Sequence, residues 1–137
     1  MQDISRRFPV ILDFRSGTGH VGKYLDGDLT DRVIQCDTSE AQLFRDASAN
    51  IPGPISFLWQ RARVAYGFRL VPIERLLTSG DEDLPLPDDS VDAAVSCLSL
   101  HWINNLPKAL SNICRVLKPD APFVGAMLGG QTLFELR

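Results

Sequence analysis

An apolar run that ends near an acid and is closed at once by glycines dictates how this chain begins to fold. Phe8-Pro9-Val10-Ile11-Leu12-Asp13-Phe14 is followed by Gly17, Gly19 and Gly22. Such a run reads as a buried strand turning tightly into a helix, because glycine accepts backbone angles that other residues resist. The helix is brief, His20 to Leu25, and Gly27 stops it. A second short strand, Arg32 to Asp37, also ends in an acid. Thr38 or Ser39 can cap the next helix by accepting a free backbone N–H, with Glu40 and Gln42 near the first turn. Ala41, Leu43, Phe44 and Ala47 supply the apolar stripe of that helix.

The pattern then loosens and recovers. Ile51-Pro52-Gly53-Pro54 breaks any regular element. Residues 52–78 read as an insertion or irregular segment, with a strand expected near Phe68–Ile73. Leu84-Pro85-Leu86-Pro87 lies within an acidic stretch and cannot be helical. Val91 to Leu98 is small and apolar, the mark of a buried central strand. Pro107 suits a first helical turn, and Leu106, Ala109, Leu110, Ile113, Val116 and Leu117 repeat at helical spacing before Pro119. Pro122 to Leu128 is a last strand, and Gln131 to Arg137 begins a helix. Alternating strand and helix ask for a parallel α/β sheet with right-handed crossovers, covered on both faces.

The 137 residues allow one domain, residues 1–137. Fourteen basic and 17 acidic side chains give a formal charge of −3, which argues against a general nucleic-acid binder. Arg61, Arg63, Arg69 and Arg75, interleaved with Trp59, Tyr66 and Phe68, form one short basic patch against that balance; the plainer reading is an insertion lying over the domain or pairing with the acidic 81–92 segment. No run approaches the roughly 18 apolar residues of a membrane span. Met1 to Arg7 has no apolar stretch of secretory type. Three cysteines, Cys36, Cys97 and Cys114, without a C-x-x-C pair, suggest a reduced compartment and no structural metal.

Ligands of such sheets bind at the carboxyl ends of the strands, where the order switches. Asp13, the Gly17–Gly19 loop, Asp37 and the segment after Leu98 are expected to meet there. Asp37 lies about 20 residues beyond Gly17, the spacing between a glycine loop and an acid that accepts ribose hydroxyls. The plainer alternative is a strand-turn-helix with a solvated acid. Asp81 opens the acidic prolyl segment, where an acid can accept from an adenine amino group; a solvated loop is the alternative. His101 and Trp102 follow the central strand directly, so they are candidate catalytic groups or else a packed pair. His20 reads as a surface residue. No metal-ligand spacing stands out.

Together these segments resemble the class I S-adenosylmethionine-dependent methyltransferase family. The matching pieces are Ile11-Leu12-Asp13-x-x-x-Gly17-x-Gly19, Asp37, Leu84-Pro85-Leu86-x-Asp88-x-Ser90-Val91-Asp92, and Leu117-Lys118-Pro119-Asp120. Ser96 through Leu110, with its His101-Trp102, and Leu117 through Arg137 resemble more narrowly the mitochondrial complex I assembly factors described as arginine hydroxylases. The resemblance implies a Rossmann-like, mainly parallel sheet of strand order 3-2-1-4-5, with the family's last two strands missing. It implies S-adenosylmethionine in the glycine-loop pocket with Asp37 on the ribose, and the candidate residues around it are Asp13, Arg15, Gly17, Gly19, Asp37, Asp81 and Leu98. It implies a complex I subunit with an iron–sulphur site as partner, in the mitochondrial matrix or at the matrix face of the inner membrane, whose arginine is modified.

One departure is chemical. Arg15 stands where the family has a leading glycine. It either obstructs the pocket or pairs with the cofactor carboxylate, and obstruction is the expectation, so that Arg15→Gly would tighten binding. Only His20 and His101 are present, so no triad of two histidines and a carboxylate is evident. The alternatives are a non-catalytic assembly module with a degenerate cofactor site, and an enzyme resembling malonyl-acyl-carrier-protein methyltransferase. A nicotinamide oxidoreductase is disfavoured because the loop is not G-x-G-x-x-G.

Overall fold

The computed structural model describes residues 6–45, 67, 69–80 and 83–130. Five parallel strands form one sheet: β1 (Val10–Phe14), β2 (Arg32–Asp37), β3 (Ile73–Leu77), β4 (Ala93–Cys97) and β5 (Phe123–Ala126). Their order is β3-β2-β1-β4-β5, as expected. β1 is central, pairing Ile11 with Val33 on one side and with Ala93 on the other. Side chains on both faces of the sheet are buried along it, which is why it reads as a continuous apolar run rather than an alternating one.

Two helices are described in the crossovers. α1 (Glu40–Leu43) is capped by Ser39, whose hydroxyl accepts from Gln42 N. α2 (Leu106–Val116) is capped by Asn105, whose Oδ1 accepts from Lys108 N at 3.2 Å, with proline in the first turn. Its inner stripe, Ala109, Ile113 and Val116, joins Leu12, Ile34 and Ala94 in the core. The helix expected at His20–Leu25 is a single 3-10 turn, Val21–Tyr24. The helix expected from Gln131, and most of the arginine-rich stretch, lie outside the described residues. Of that stretch Arg69 pairs with Asp31 at 3.5 Å rather than with the acidic prolyl segment.

The third strand needs correction. It does not span Phe68–Ile73; it begins where that expectation ended. Pro72 is the reason. Its carbonyl accepts from Val33 N, but it has no N–H to offer, and it stands just ahead of the strand, a position that suits proline. Residues 73–77 therefore belong to the sheet, not to an insertion. Among the described residues no helix is long and apolar enough to cross a membrane.

Candidate functional site

The loop after β1 is shaped by three consecutive demands on the backbone. Arg15 has φ 53°, Gly17 φ 55° and Gly19 φ 77°. Gly17 and Gly19 accept this freely; Arg15 does so at a cost of about 1–2 kcal/mol. Gly19 is also pressed onto β2, where a Cβ would lie 2.5 Å from Gln35 Nε2. Ser16 N donates to the Cys36 carbonyl at 3.0 Å, and Gly19 N to the Ser16 carbonyl at 2.8 Å.

Asp37 ends β2 and organises the loop. Its Oδ2 accepts from Gly17 N at 2.9 Å, across the 20-residue spacing, and its Oδ1 from Ser39 N at 2.9 Å. Each carboxylate oxygen keeps a second lone pair for a ligand hydroxyl. The third wall comes from β4. Leu98, at φ 53°, donates its N–H to the Ala126 carbonyl at 2.8 Å and leaves its side chain 56% exposed. The hydroxyls of Ser96 and Ser99 lie 2.9 Å apart beneath it. Trp102 is 71% exposed, with the His101 ring tilted against it at 5.2 Å.

These strand ends enclose a cavity of about 560 Å³. Of the residues expected from sequence, Arg15, Gly17, Asp37, Leu98 and Trp102 line it. Arg15 stands in the wall of the cavity. Ser16, Thr18, His20, Gln42, Arg45, Cys97 and Ser99 line it as well. His20, read as a plain surface residue, is exposed and faces the cavity. Gln42 and Arg45 come from the segment after Ser39, and their residue types alone carry no signal for a site.

Asp13, Gly19 and His101 are not on the cavity wall, and Asp81 lies outside the described residues. Asp13 does not rim the slot. It is 1% exposed, in register with Gln35 of β2. Burial pushes its carboxyl up to about 7, the neighbouring Gln35 amide opposes this in part, and the charge of Asp37 adds to it. The Gln35 contact does not close a hydrogen bond of good geometry, since Asp13 Oδ2 and Gln35 Nε2 both lack a partner. His101 keeps its Nδ1 buried without a partner among the described residues.

Known proteins resemble this chain in sequence and in fold. The family described as a methyltransferase domain matches residues 12–125. The mitochondrial arginine-hydroxylase NDUFAF5 of Homo sapiens is 38% identical over 135 residues, covering 98% of this chain and 33% of that protein. The malonyl-[acyl-carrier protein] O-methyltransferase of Methylococcus capsulatus is 34% identical over 128 residues, covering 93% of this chain and 40% of that one. Among solved structures, the PH0226 protein of Pyrococcus horikoshii aligns with a TM-score of 0.69 at 19% identity, over 98% of this chain and 56% of its own. An S-adenosylmethionine dependent methyltransferase of Mesorhizobium loti aligns with a TM-score of 0.58 at 24% identity, over 87% and 46%. At these identities the structural likeness speaks for the fold. The chain spans about a third of the length of the arginine-hydroxylases it matches.

Proposed function

This chain belongs to the methyltransferase domain family, and from that premise we propose that it binds S-adenosylmethionine in the cavity at the ends of β1, β2 and β4. The observation that carries the reading is Asp37, an acid on the cavity wall already bonded to the glycine loop. The residues suit the cofactor. A cavity of about 560 Å³ is of the size that holds a small ligand. Asp37 would take the ribose hydroxyls, and Leu98 and Trp102 the apolar flank. The bound cofactor supplies an activated methyl group. This chain's part is to hold and orient it at the strand ends.

The names of the relatives extend the reading. Relatives called mitochondrial arginine-hydroxylases, at 38% identity, support action on a protein arginine in mitochondria. We assign the substrate to an iron–sulphur-bearing subunit of respiratory complex I, modified during assembly. A second reading, methyl transfer to an acyl carboxylate, is favoured by the malonyl-[acyl-carrier protein] match.

Titration calorimetry and thermal unfolding with S-adenosyl-L-homocysteine test the cofactor claim. Ligand at a hundredfold excess over Kd adds about 2.7 kcal/mol, enough to raise Tm by roughly 10 °C. Asp37→Ala is expected to abolish both signals. No heat and no shift in a folded wild-type chain would leave a non-catalytic assembly module instead. Mass-spectrometric assay of an arginine peptide beside a malonyl thioester separates the two substrate readings.

A further inference from the structure

We propose that Gln35 is a positioning residue for the glycine loop: its side chain, two residues before Asp37 on β2, is the seat on which Gly19 and Gly22 rest, and its length sets how the loop stands against Asp37. The inference rests on the adenosyl reading above and adds a residue that lies behind the cavity wall rather than in it.

The strand register puts Gln35 under the loop. Side chains alternate between the faces of a sheet, so Gln35 shares its face with Asp37. β2 thus meets the loop twice on one face. Asp37 Oδ2 accepts from Gly17 N at 2.9 Å. Gln35 is 2% exposed, and a Cβ at Gly19 would lie 2.5 Å from its Nε2 and 2.9 Å from its Oε1. A Cβ at Gly22 would lie 2.8 Å from the same Nε2. Gly19 has positive φ, so its backbone asks for glycine in any case. Gly22 has not, and Ile73 Cδ1 would lie 3.7 Å from its Cβ, an ordinary contact. Among the described residues, the tight approach at position 22 is therefore to Gln35, and glycine there is a fit to that side chain.

Hydrogen bonding does not account for the amide. Asp13 on β1 and Arg75 on β3 are the register partners of Gln35 and flank it across the sheet. Yet Asp13 Oδ2, Gln35 Nε2 and Arg75 Nε are all buried without a hydrogen-bond partner among the described residues. A buried amide left unbonded is unfavourable, and a short apolar residue would avoid it. What Gln35 supplies is a long, unbranched side chain to which two glycines are cut. The loop has two sides: Ser16, Gly17, Thr18 and His20 line the cavity, whereas Gly19 and Gly22 turn to Gln35. Without that support the loop settles toward the sheet and Gly17 shifts from Asp37. An adenosyl ligand must then order the loop as it binds, which lowers its affinity.

Titration calorimetry of the full chain with S-adenosyl-L-homocysteine tests this, under conditions where urea unfolding finds each variant folded. Gln35→Ala should weaken binding by about tenfold or more, and Gly22→Ala, which lifts the loop off an intact Gln35, by a similar factor. Gln35→Met, the conservative variant of similar length, should restore most of that loss, to within about threefold of the wild type, although it has no amide. The double variant Gln35→Ala, Gly22→Ala should bind at least about threefold tighter than either single one, because the new methyl enters space the amide leaves. A residue that only held the core together would change stability and leave the affinity of the folded protein alike in all four. Gln35→Ala binding as the wild type overturns the proposal, as does Gln35→Met binding as weakly as Gln35→Ala. So does a double variant in which the two losses simply add. Where Gln35→Ala alone does not fold, Gly22→Ala against the double variant decides, and no recovery in the double overturns the proposal. Equal binding by the wild type and every variant removes the role of Gln35 and leaves the cofactor site standing. No binding by the folded wild type removes both.

Discussion

Asp13 holds a carboxyl in the sheet, with one oxygen buried and without a partner. Its pKa stands at about 7 against an ordinary 3.8, because burial penalises the charged form. Folding therefore favours the protonated acid. The stability this group contributes is full below about pH 4, is lost as pH rises through about 7, and stays lost above that. Asp13→Asn should flatten this slope and gain on the order of 2–4 kcal/mol over the wild type at pH 8, read from urea unfolding across pH 4–8. Parallel pH profiles for the two proteins would refute it. The same residue shows what sequence conceals. An acid after an apolar run reads as a strand-end ligand group, yet Asp13 falls one residue short of the end of β1 and is covered by β2 and the loop. Asp37 is the last residue of its strand, so the same reading puts it on the wall correctly. Gln42, Arg45 and His20 reach the cavity only through the packing of their segments, which no local pattern announces.

Elements are held together here by a few long side chains. Arg115, near the end of α2, donates to the carbonyls of Leu84 at 2.8 Å and Leu86 at 2.9 Å, and also pairs with Asp88. The prolines of that segment prevent it from satisfying its own carbonyls in a regular ladder. Arg115→Ala is expected to destabilise the protein by about 1–3 kcal/mol, whereas Asp88→Ala, which removes only an exposed ion pair, should cost less than about 1 kcal/mol. Chemical denaturation of the two variants checks this, and equal losses would contradict it. β1, β2, β4, β5 and α2 were legible because apolar runs bounded by Gly, Asp or Pro have one sensible reading. β3 was not. Ile73-Glu74-Arg75-Leu76-Leu77 is an edge strand, with Ile73, Glu74 and Leu77 exposed, and its charged centre hides it behind the more apolar Leu70-Val71.

At the scale of the molecule, the fold is the Rossmann-like methyltransferase fold, and its strand order was legible once alternation and family motifs were combined. Protection should follow position in the sheet. β1 is paired on both sides and buried, while β5 has Val124 64% exposed and pairs with β4. Hydrogen exchange should find the amides of Leu12 and Asp13 slowest, opening only with global unfolding, and those of β5 faster. Slower exchange in β5 than in β1 would show that the sheet does not open from its edge. The register has a consequence for synthesis. Val10 N donates to Asp92 Oδ2 across 82 residues, in the stretch where β1 meets β4. At about 5–20 residues per second a ribosome takes roughly 4–16 s to make the intervening chain. For that interval the future centre of the sheet has one flank without its partner strand, and its pairing is completed only when the fourth strand arrives.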